Sequence, residues 1–404
     1  MKVIIIGAGI GGLCLAQSLK RSGLDVALYE RDAAPFDRRQ GYRLHLDADC
    51  VSAIKEALAP ELYALFEATS MNPLPYTTIM DTQFNIQRRF QTDDYSKTQH
   101  HVADGIATHL NVNRATLREI LLHDLADICH WGAQFIRFET DEGGVTAHFD
   151  GCAPVHGDIL VAADGAGSSV RTLRAPQARF MDSGVRAIYG KLTLDTARKV
   201  LPAHALADIF TAAFDSSKKL ILGVGPVIFP MRPDLAAESL LPTAPLSRQD
   251  DYVGCIISGR KELFGDDAHL QAMDSHDLQA VAADLLRPWS AEAARVPEAA
   301  NPDSFFFIRM TSSIPFELAP MPRVTLLGDA IHAMTPSLGR GANVALRDAM
   351  LLARHIRDIR NQEVSIDAGL QAYETEMTGY GFGVVRHSAE MGARLLGQDP
   401  LPGT

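Results

Sequence analysis

The run Val3-Ile4-Ile5-Ile6 passes straight into Gly7-Ala-Gly9-Ile-Gly11-Gly12. Consecutive β-branched residues suit a parallel strand covered on both faces. Leu13 to Ser22 reads as a helix, and Val26 to Tyr29 as a second strand ending at Glu30. Together they make a βαβ unit whose first turn carries G-x-G-x-x-G at Gly7, Gly9 and Gly12. Gly7 permits the tight turn, Gly9 lets the backbone approach a pyrophosphate, and Gly12 lets helix and strand pack closely. The helix amides then face phosphate, and Glu30 accepts from a ribose. Taken alone, this fingerprint fits either of two dinucleotides, or a glycine turn without ligand.

A second glycine-rich element near the far end of the chain narrows the choice. Gly328-Asp329-Ala330-Ile331-His332 follows the apolar run Val324 to Leu327, and Pro336 then leads to Gly339, Gly341, Ala342 and Asn343. Asp329 at a strand end can hold the hydroxyls of a polyol chain. Backbone amides from Gly339 to Asn343 would face an electron-rich ring edge, where a helix N terminus favours negative charge. One long cofactor gripped at both ends is the economical explanation, and FAD is the one that fits. Without a ligand, the same residues make a strand, loop and helix capped by Asn343. Asp164-Gly165-Ala-Gly167-Ser168-Ser169 follows Ile159 to Ala162 and forms either a crowded turn near a ligand or a surface turn capped by Asp and Ser.

Composition bounds the rest. The chain has 404 residues, 47% hydrophobic and 22% charged, enough for two domains. A net charge of -11 argues against nucleic acid as a partner. Five scattered cysteines without a Cys-x-x-Cys suit a reduced, cytoplasmic protein with no structural metal. His100-His101, His123 and His130 lack zinc-type spacing. No stretch approaches the roughly 20 apolar residues of a membrane helix, so no membrane partner is expected. Oligomeric state is open.

The expected fold class is α/β: a Rossmann-like FAD-binding domain with an inserted antiparallel-sheet substrate domain and C-terminal helices. The FAD-binding domain is assigned 1–75, 103–178 and 293–365, the substrate domain 76–102 and 179–292, and the C-terminal helical segment 366–404. Residues 49–65 read as one helix and 71–102 as strands outside the Rossmann core. Short β-like runs at 184–193, 207–214, 219–228 and 252–258 suggest the antiparallel sheet, and 230–250 reads as a long loop. Gly223-Val-Gly225-Pro lacks the strand–turn–helix setting of a second fingerprint.

These pieces, Gly7-x-Gly9-x-x-Gly12 with Glu30-Arg31, Asn113-Arg114-Ala-Thr-Leu117, Asp158 to Gly165, and Gly328-Asp329 through Asn343, resemble the group A flavoprotein monooxygenases. This is the para-hydroxybenzoate hydroxylase-like superfamily, and the motif forms look most like its tetracycline-inactivating and aromatic-polyketide or salicylate-type branch. The resemblance implies that Arg31 lies with Glu30 at the cofactor, Arg114 near the pyrophosphate and ribityl chain, Asp164 near the pyrophosphate, and Asp329 on the ribityl chain. It places Pro336 beside the reactive flavin edge and makes His332 a packing residue. Arg340 departs from the glutamine or small residue of relatives and alters the charge near the flavin only if it faces inward.

The implied reaction is NAD(P)H reduction of FAD, reaction with O2 to a C4a-hydroperoxyflavin, and hydroxylation of an aromatic or polyketide-like small molecule. The resemblance implies that NADPH or NADH binds transiently, which fits the lack of a second nucleotide fingerprint in the sequence. Arg186 is a candidate for holding a phenolate or carboxylate, and Tyr189 for orienting a carbonyl, although strand alternation puts them on opposite faces unless a bulge intervenes. Met334 and Leu338 flank Pro336 as apolar substrate contacts or core residues. A flavin oxidase or dehydrogenase, a Baeyer–Villiger oxygenase and a non-catalytic FAD-binding protein are the alternatives. A halogenase lacks its Trp-x-Trp-x-Ile-Pro signature here.

Overall fold

The computed structural model describes residues 1–37, 41–71, 74, 76–92 and 110–402. His100 and His101, Pro73 and Pro75, and much of the 71–102 stretch lie outside the described residues.

The N-terminal run becomes the centre of a five-stranded parallel sheet. Its spatial order is Val324–Leu326, Ile159–Ala162, Lys2–Ile6, Asp25–Tyr29 and Cys129–His130. Val3, Ile4, Ile5, Leu160 and Val161 are fully buried, as a sheet covered on both faces demands. All five strands are parallel, so their C-terminal ends share one edge, where open α/β sheets bind ligands. Helix Ile10–Arg21 returns from the first strand and packs against helix Gly341–Arg360. A small antiparallel sheet of Phe135–Thr140, Val145–Phe149 and Val155–Gly157 flanks this layer.

The second sheet has seven strands, ordered Phe306–Ile314, Arg179–Thr193, Tyr252–Arg260, Leu220–Val227, Phe210–Asp215, Tyr76–Asp81 and Ile86–Gln91. It is antiparallel except where Phe210–Asp215 runs parallel to Tyr76–Asp81. On one face Ile188, Leu192, Val253, Cys255 and Ile257 form a core with Leu278, Ala282 and Trp289 from the covering helices. On the other face lie Val185, Ala187, Ala212 and Tyr189.

Several expectations change. Phe306–Ile314, expected within the FAD-binding stretch, instead pairs with Arg179–Thr193 as a strand of the large sheet. The loop expected at 230–250 contains helix Pro233–Leu240, started by a proline whose missing N–H costs nothing in the first turn. The single helix expected over 49–65 is two, Ala48–Ala57 and Pro60–Thr69, because Pro60 forces the preceding residue out of helical geometry. Helices Asp267–Ala272, Ser275–Leu286 and Ala291–Ala299, absent from the sequence reading, cover the second sheet.

The C-terminal segment is one helix, Ile366–Leu396, bolted to the edge strand of the parallel sheet. Tyr373 donates its hydroxyl to the Leu326 carbonyl at 2.9 Å. Arg174 donates Nε to the Val324 carbonyl at 2.9 Å and Nη2 to both Glu374 carboxylate oxygens at 3.0 and 3.1 Å. Both side chains of this pair are buried, so removing one strands the other charge. Glu374→Ala should cost about 3–5 kcal/mol in urea unfolding, and Arg174→Met with Glu374→Met should recover most of it. Equal losses in the single and double variants would show that the pair is not the cause.

Candidate active site

Three strand ends and two helix starts build the site. Gly7, at φ +107°, makes the first turn, and a Cβ there would lie 2.4 Å from the Ala163 carbonyl oxygen. A Cβ on Gly12 would lie 2.2 Å from the Gly7 oxygen, so this glycine serves packing. Gly9 differs: the nearest atom to its Cβ position is 3.9 Å away, which leaves open space in front of the helix. Gly9 caps helix Ile10–Arg21 with no side-chain hydrogen bond and no acidic residue in the first turn. The free amides and positive end of the dipole suit a phosphate.

Glu30, at the end of the second strand, is buried and accepts from the Ala8 amide at 2.8 Å and the Asp32 amide at 3.1 Å. Arg31 is exposed beside it. Asp164 follows the third strand. Its Oδ2 accepts from the Ser169 amide at 2.9 Å, while Oδ1 is buried without a hydrogen-bond partner. Burial pushes this carboxyl above the usual carboxylate range against the pull of Ser168 and the helix amides. The residue is therefore both a helix cap and an acceptor lacking a donor.

The Asp329 carboxylate follows Gly328, at φ +62°, and opens into the cleft. Protein packed around the cleft pushes its pKa up, opposed by His332 and Arg114 and reinforced by Asp348. Arg114 begins helix Arg114–Leu122 behind the Asn113 cap, which accepts from the Thr116 amide at 2.9 Å. Crowding lowers the Arg114 pKa, and Asp329 counters it. The Gly341 Cβ position lies 3.9 Å from Asp329 Oδ1, so the start of helix Gly341–Arg360 adjoins this carboxylate.

Asn343 is not the cap of that helix. Its amide donates to the Gly339 carbonyl at 3.1 Å and the His45 carbonyl at 2.8 Å, and its Oδ1 accepts from the Asp47 amide at 3.0 Å. It staples the Gly339–Ala342 turn to the Arg43–Leu46 strand, leaving the turn's backbone to meet a ligand. Arg340 faces inward and pairs with buried Asp47 at 3.3 Å, so its charge is matched at the site. Pro336 is exposed, Leu338 is half-buried in the same turn, and Met334 leans on the core of the parallel-sheet layer.

Arg186 does not belong here. It lies on the helix-covered face of the large sheet, opposite Tyr189, and donates to Asp182 at 2.8 Å and to Asp267 at 2.6 Å. A 2% exposed guanidinium forked between two carboxylates ties strand to helix and has no route to the cleft. The register shift between Asp182 and Arg186 lies before this stretch and leaves the alternation intact. Tyr189 lies on the other face of the sheet: it stacks on Phe306 at 5.2 Å, and burial raises its hydroxyl to about 12 against the pull of Arg114 and Arg43.

The sequence reading missed Asp348, which is fully buried within helix Gly341–Arg360. Its Oδ2 accepts from the Gly328 amide and from His332 Nε2, each at 2.7 Å, and its Oδ1 accepts from Tyr380. The signal was present, a carboxylate on an otherwise apolar helix face. His332 is thus buried and held by Asp348.

These features fit FAD: open space before an uncapped helix, an unpartnered Asp164 oxygen, and a carboxylate and arginine at the second helix start. Models of two families match the chain, a FAD binding domain over residues 320–388 and an NAD(P)-binding Rossmann-like domain over 5–58. The chain is 32% identical over 379 residues to the dual O-methyltransferase/FAD-dependent monooxygenase elcB of Phaeosphaeria nodorum, covering 88% of this chain and 40% of that one. It thus spans well under half the length of that relative. It is 28% identical to the FAD-dependent urate hydroxylase of Klebsiella pneumoniae, covering 93% and 85%. A Photorhabdus luminescens structure assigned to the FAD-containing monooxygenases superposes with TM-score 0.81 at 25% identity, covering 98% of each chain. Klebsiella pneumoniae HpxO, complexed with FAD and uric acid, shares the fold with TM-score 0.74 at 24% identity, over 97% and 88%.

Fold, site and the matching FAD binding domain together mark a FAD-binding protein. The chain is similar over most of its length to FAD-dependent monooxygenases and shares their fold.

Gly9→Ala should leave the apoprotein's melting temperature unchanged and weaken FAD binding at least tenfold in a fluorescence titration, because the added methyl occupies ligand space. Gly12→Ala should lower the melting temperature itself. Similar behaviour of the two variants would refute the division of roles. Asp348→Ala should destabilise the protein by about 3 kcal/mol, the scale of a buried charged network losing its acceptor, and lower FAD affinity through the Gly328 turn. Unchanged FAD affinity in a folded Asp348→Ala protein would remove that link.

Proposed function

We propose that this chain is an FAD-dependent monooxygenase that uses NAD(P)H and O2 to hydroxylate an aromatic or polyketide-like small molecule. The observation that carries the reading is the meeting of two uncapped helix N termini and the Asp329 carboxylate at one cleft, facing a half-apolar sheet. When bound, FAD supplies hydride acceptance from the nicotinamide and activation of O2.

The chain's residues do the rest. Amides at Gly9 to Gly12 take the pyrophosphate, Glu30 the ribose, and Arg114, Asp164 and Asp329 the linking region. Gly339, Gly341 and Ala342 present backbone to the ring, and Pro336 borders the reacting edge. Partly buried Tyr189, Phe210, Ile256 and Ile308 form an apolar wall that limits water around the substrate. Tyr189 stays protonated at neutral pH and can donate to a substrate oxygen. The proposed domain division follows the two main sheets.

The relatives' names, monooxygenase and urate hydroxylase among them, support this reading. No described helix is both long and apolar enough to cross a membrane. A reducing, cytoplasmic setting is part of the proposal, supported by five free cysteines.

Rapid mixing of the reduced, FAD-loaded protein with O2 tests it. Absorbance should pass through a transient distinct from the reduced and oxidised forms, and 18O2 should place one labelled atom in product. Direct return to the oxidised spectrum with stoichiometric H2O2, in the presence of a substrate that stimulates NAD(P)H consumption, would mark an oxidase instead.

A further inference from the structure

The segment 397–401 links the two main sheets. Gly397, at φ +66°, turns the chain out of helix Ile366–Leu396. Leu396 packs with Val185, Ala187 and Met310 on the large sheet, while Leu401 is buried in the core of the parallel-sheet layer.

The large sheet carries a seat for this segment. The register shift between Asp182 and Arg186 leaves Ser183 and Gly184 outside the ladder with Phe306–Ile314. The Ser183 carbonyl accepts from the Asp399 amide at 2.9 Å. Gly184, at φ +73°, has no room for a side chain: a Cβ there would lie 2.4 Å from Arg260 Nη1 and 2.5 Å from Asp399 Oδ2. Arg260 ends strand Tyr252–Arg260 and donates Nη1 to Asp399 Oδ1 at 2.6 Å and to the Gly397 carbonyl at 2.8 Å.

At its other contact the segment meets the turn that holds Pro336. Gln398 Oε1 accepts from Thr335 Oγ1 at 2.6 Å, and Ser388 Oγ donates to the Thr335 carbonyl at 2.7 Å. Thr335, Ser388 and Gln398 are all buried, and Thr335 immediately precedes the Pro336–Leu338 turn. Gly392 makes the room, since a Cβ there would lie 2.2 Å from Gln398 Oε1 and 2.9 Å from Ser337 Oγ. A glycine inside a helix is less stable than alanine, and this close approach accounts for it. Gln398 Nε2 is buried and has no hydrogen-bond partner among the described residues. An unmet buried donor costs stability, so this side chain suits holding the turn better than strengthening the fold.

We propose that residues 397–401 form a strap coupling the large sheet to the turn at Pro336, with Gln398 as the positioning residue for that turn. A shift of strand Arg179–Thr193 or Tyr252–Arg260 reaches Thr335 through Asp399, Arg260 and Gln398, and so moves Pro336. The strap stands on contacts within the chain. Its effect on a flavin rests on the monooxygenase reading of the site.

Hydrogen exchange followed by mass spectrometry on the FAD-saturated full chain tests the strap. In Gln398→Met the amides of 333–341 should exchange about tenfold faster than in the wild type, with the melting temperature held or raised. Arg260→Met, which removes contacts to the strap and none to the turn, should accelerate the same amides. Those of Lys2–Ile6 should keep the wild-type rate in both variants, and the visible circular dichroism of the bound flavin should change in both. Wild-type exchange of 333–341 in Arg260→Met would overturn the coupling, as would acceleration that extends equally to Lys2–Ile6, the mark of general loosening. If Gln398→Met fails to fold, Thr335→Val removes the same hydrogen bond from the turn side, and wild-type exchange there would overturn the role of Gln398. Accelerated exchange with unchanged dichroism would overturn the link to the flavin. Flavin content is measured first. A chain that takes up no FAD sinks the cofactor reading, whereas the exchange comparison, repeated without FAD, still decides the strap.

Discussion

The fully buried Asp348 carboxylate is the interaction on which the cofactor end of the fold depends. A charge removed from water must be met by donors, and here each comes from a different segment. The Gly328 amide belongs to the strand-end turn, His332 to the short helix after it, and Tyr380 to the C-terminal helix. One carboxylate therefore fixes the turn that aims Asp329. The same helix begins at the glycine turn that meets the ligand. Arg174, Glu374 and Tyr373 tie the C-terminal helix to the neighbouring strand from outside.

The large sheet divides its chemistry by face. Alternate residues of one strand serve unlike purposes: Arg186 and Ile188 face the covering helices, and Ala187 and Tyr189 the cleft. The helix-covered face is closed by full burial and by paired carboxylates around Arg186. The cleft face keeps several partly buried apolar residues and a guanidinium seated against glycine. Stability and recognition are thus separated by the two-residue period of a strand.

Much of this was legible in the chain. The β-branched run, Gly7 to Gly12 and Glu30 identified the first βαβ unit because burial and steric closeness leave few alternatives to those residue types. Asp164 and Asp329 were legible as acidic residues at the ends of apolar strands. The site's supports were harder to read. Asp348 partners residues on separate segments, and the use of Gly225 depends on Arg43, far away in sequence and brought close only by the tertiary fold. Arg186 looked like a ligand-binding residue because nothing local announces that Asp267 lies opposite it.

By itself the sequence determined the parallel core, the glycine turns and the identity of the cofactor. Each of these follows from local pattern: strand periodicity, backbone freedom and the helix dipole. The tertiary structure decided which arginine faces the cleft, which glycines make room for side chains, and that residues 306–314 complete the second sheet. Those outcomes depend on pairings between distant segments, and the free energy of such a pairing exists only once both partners are in place.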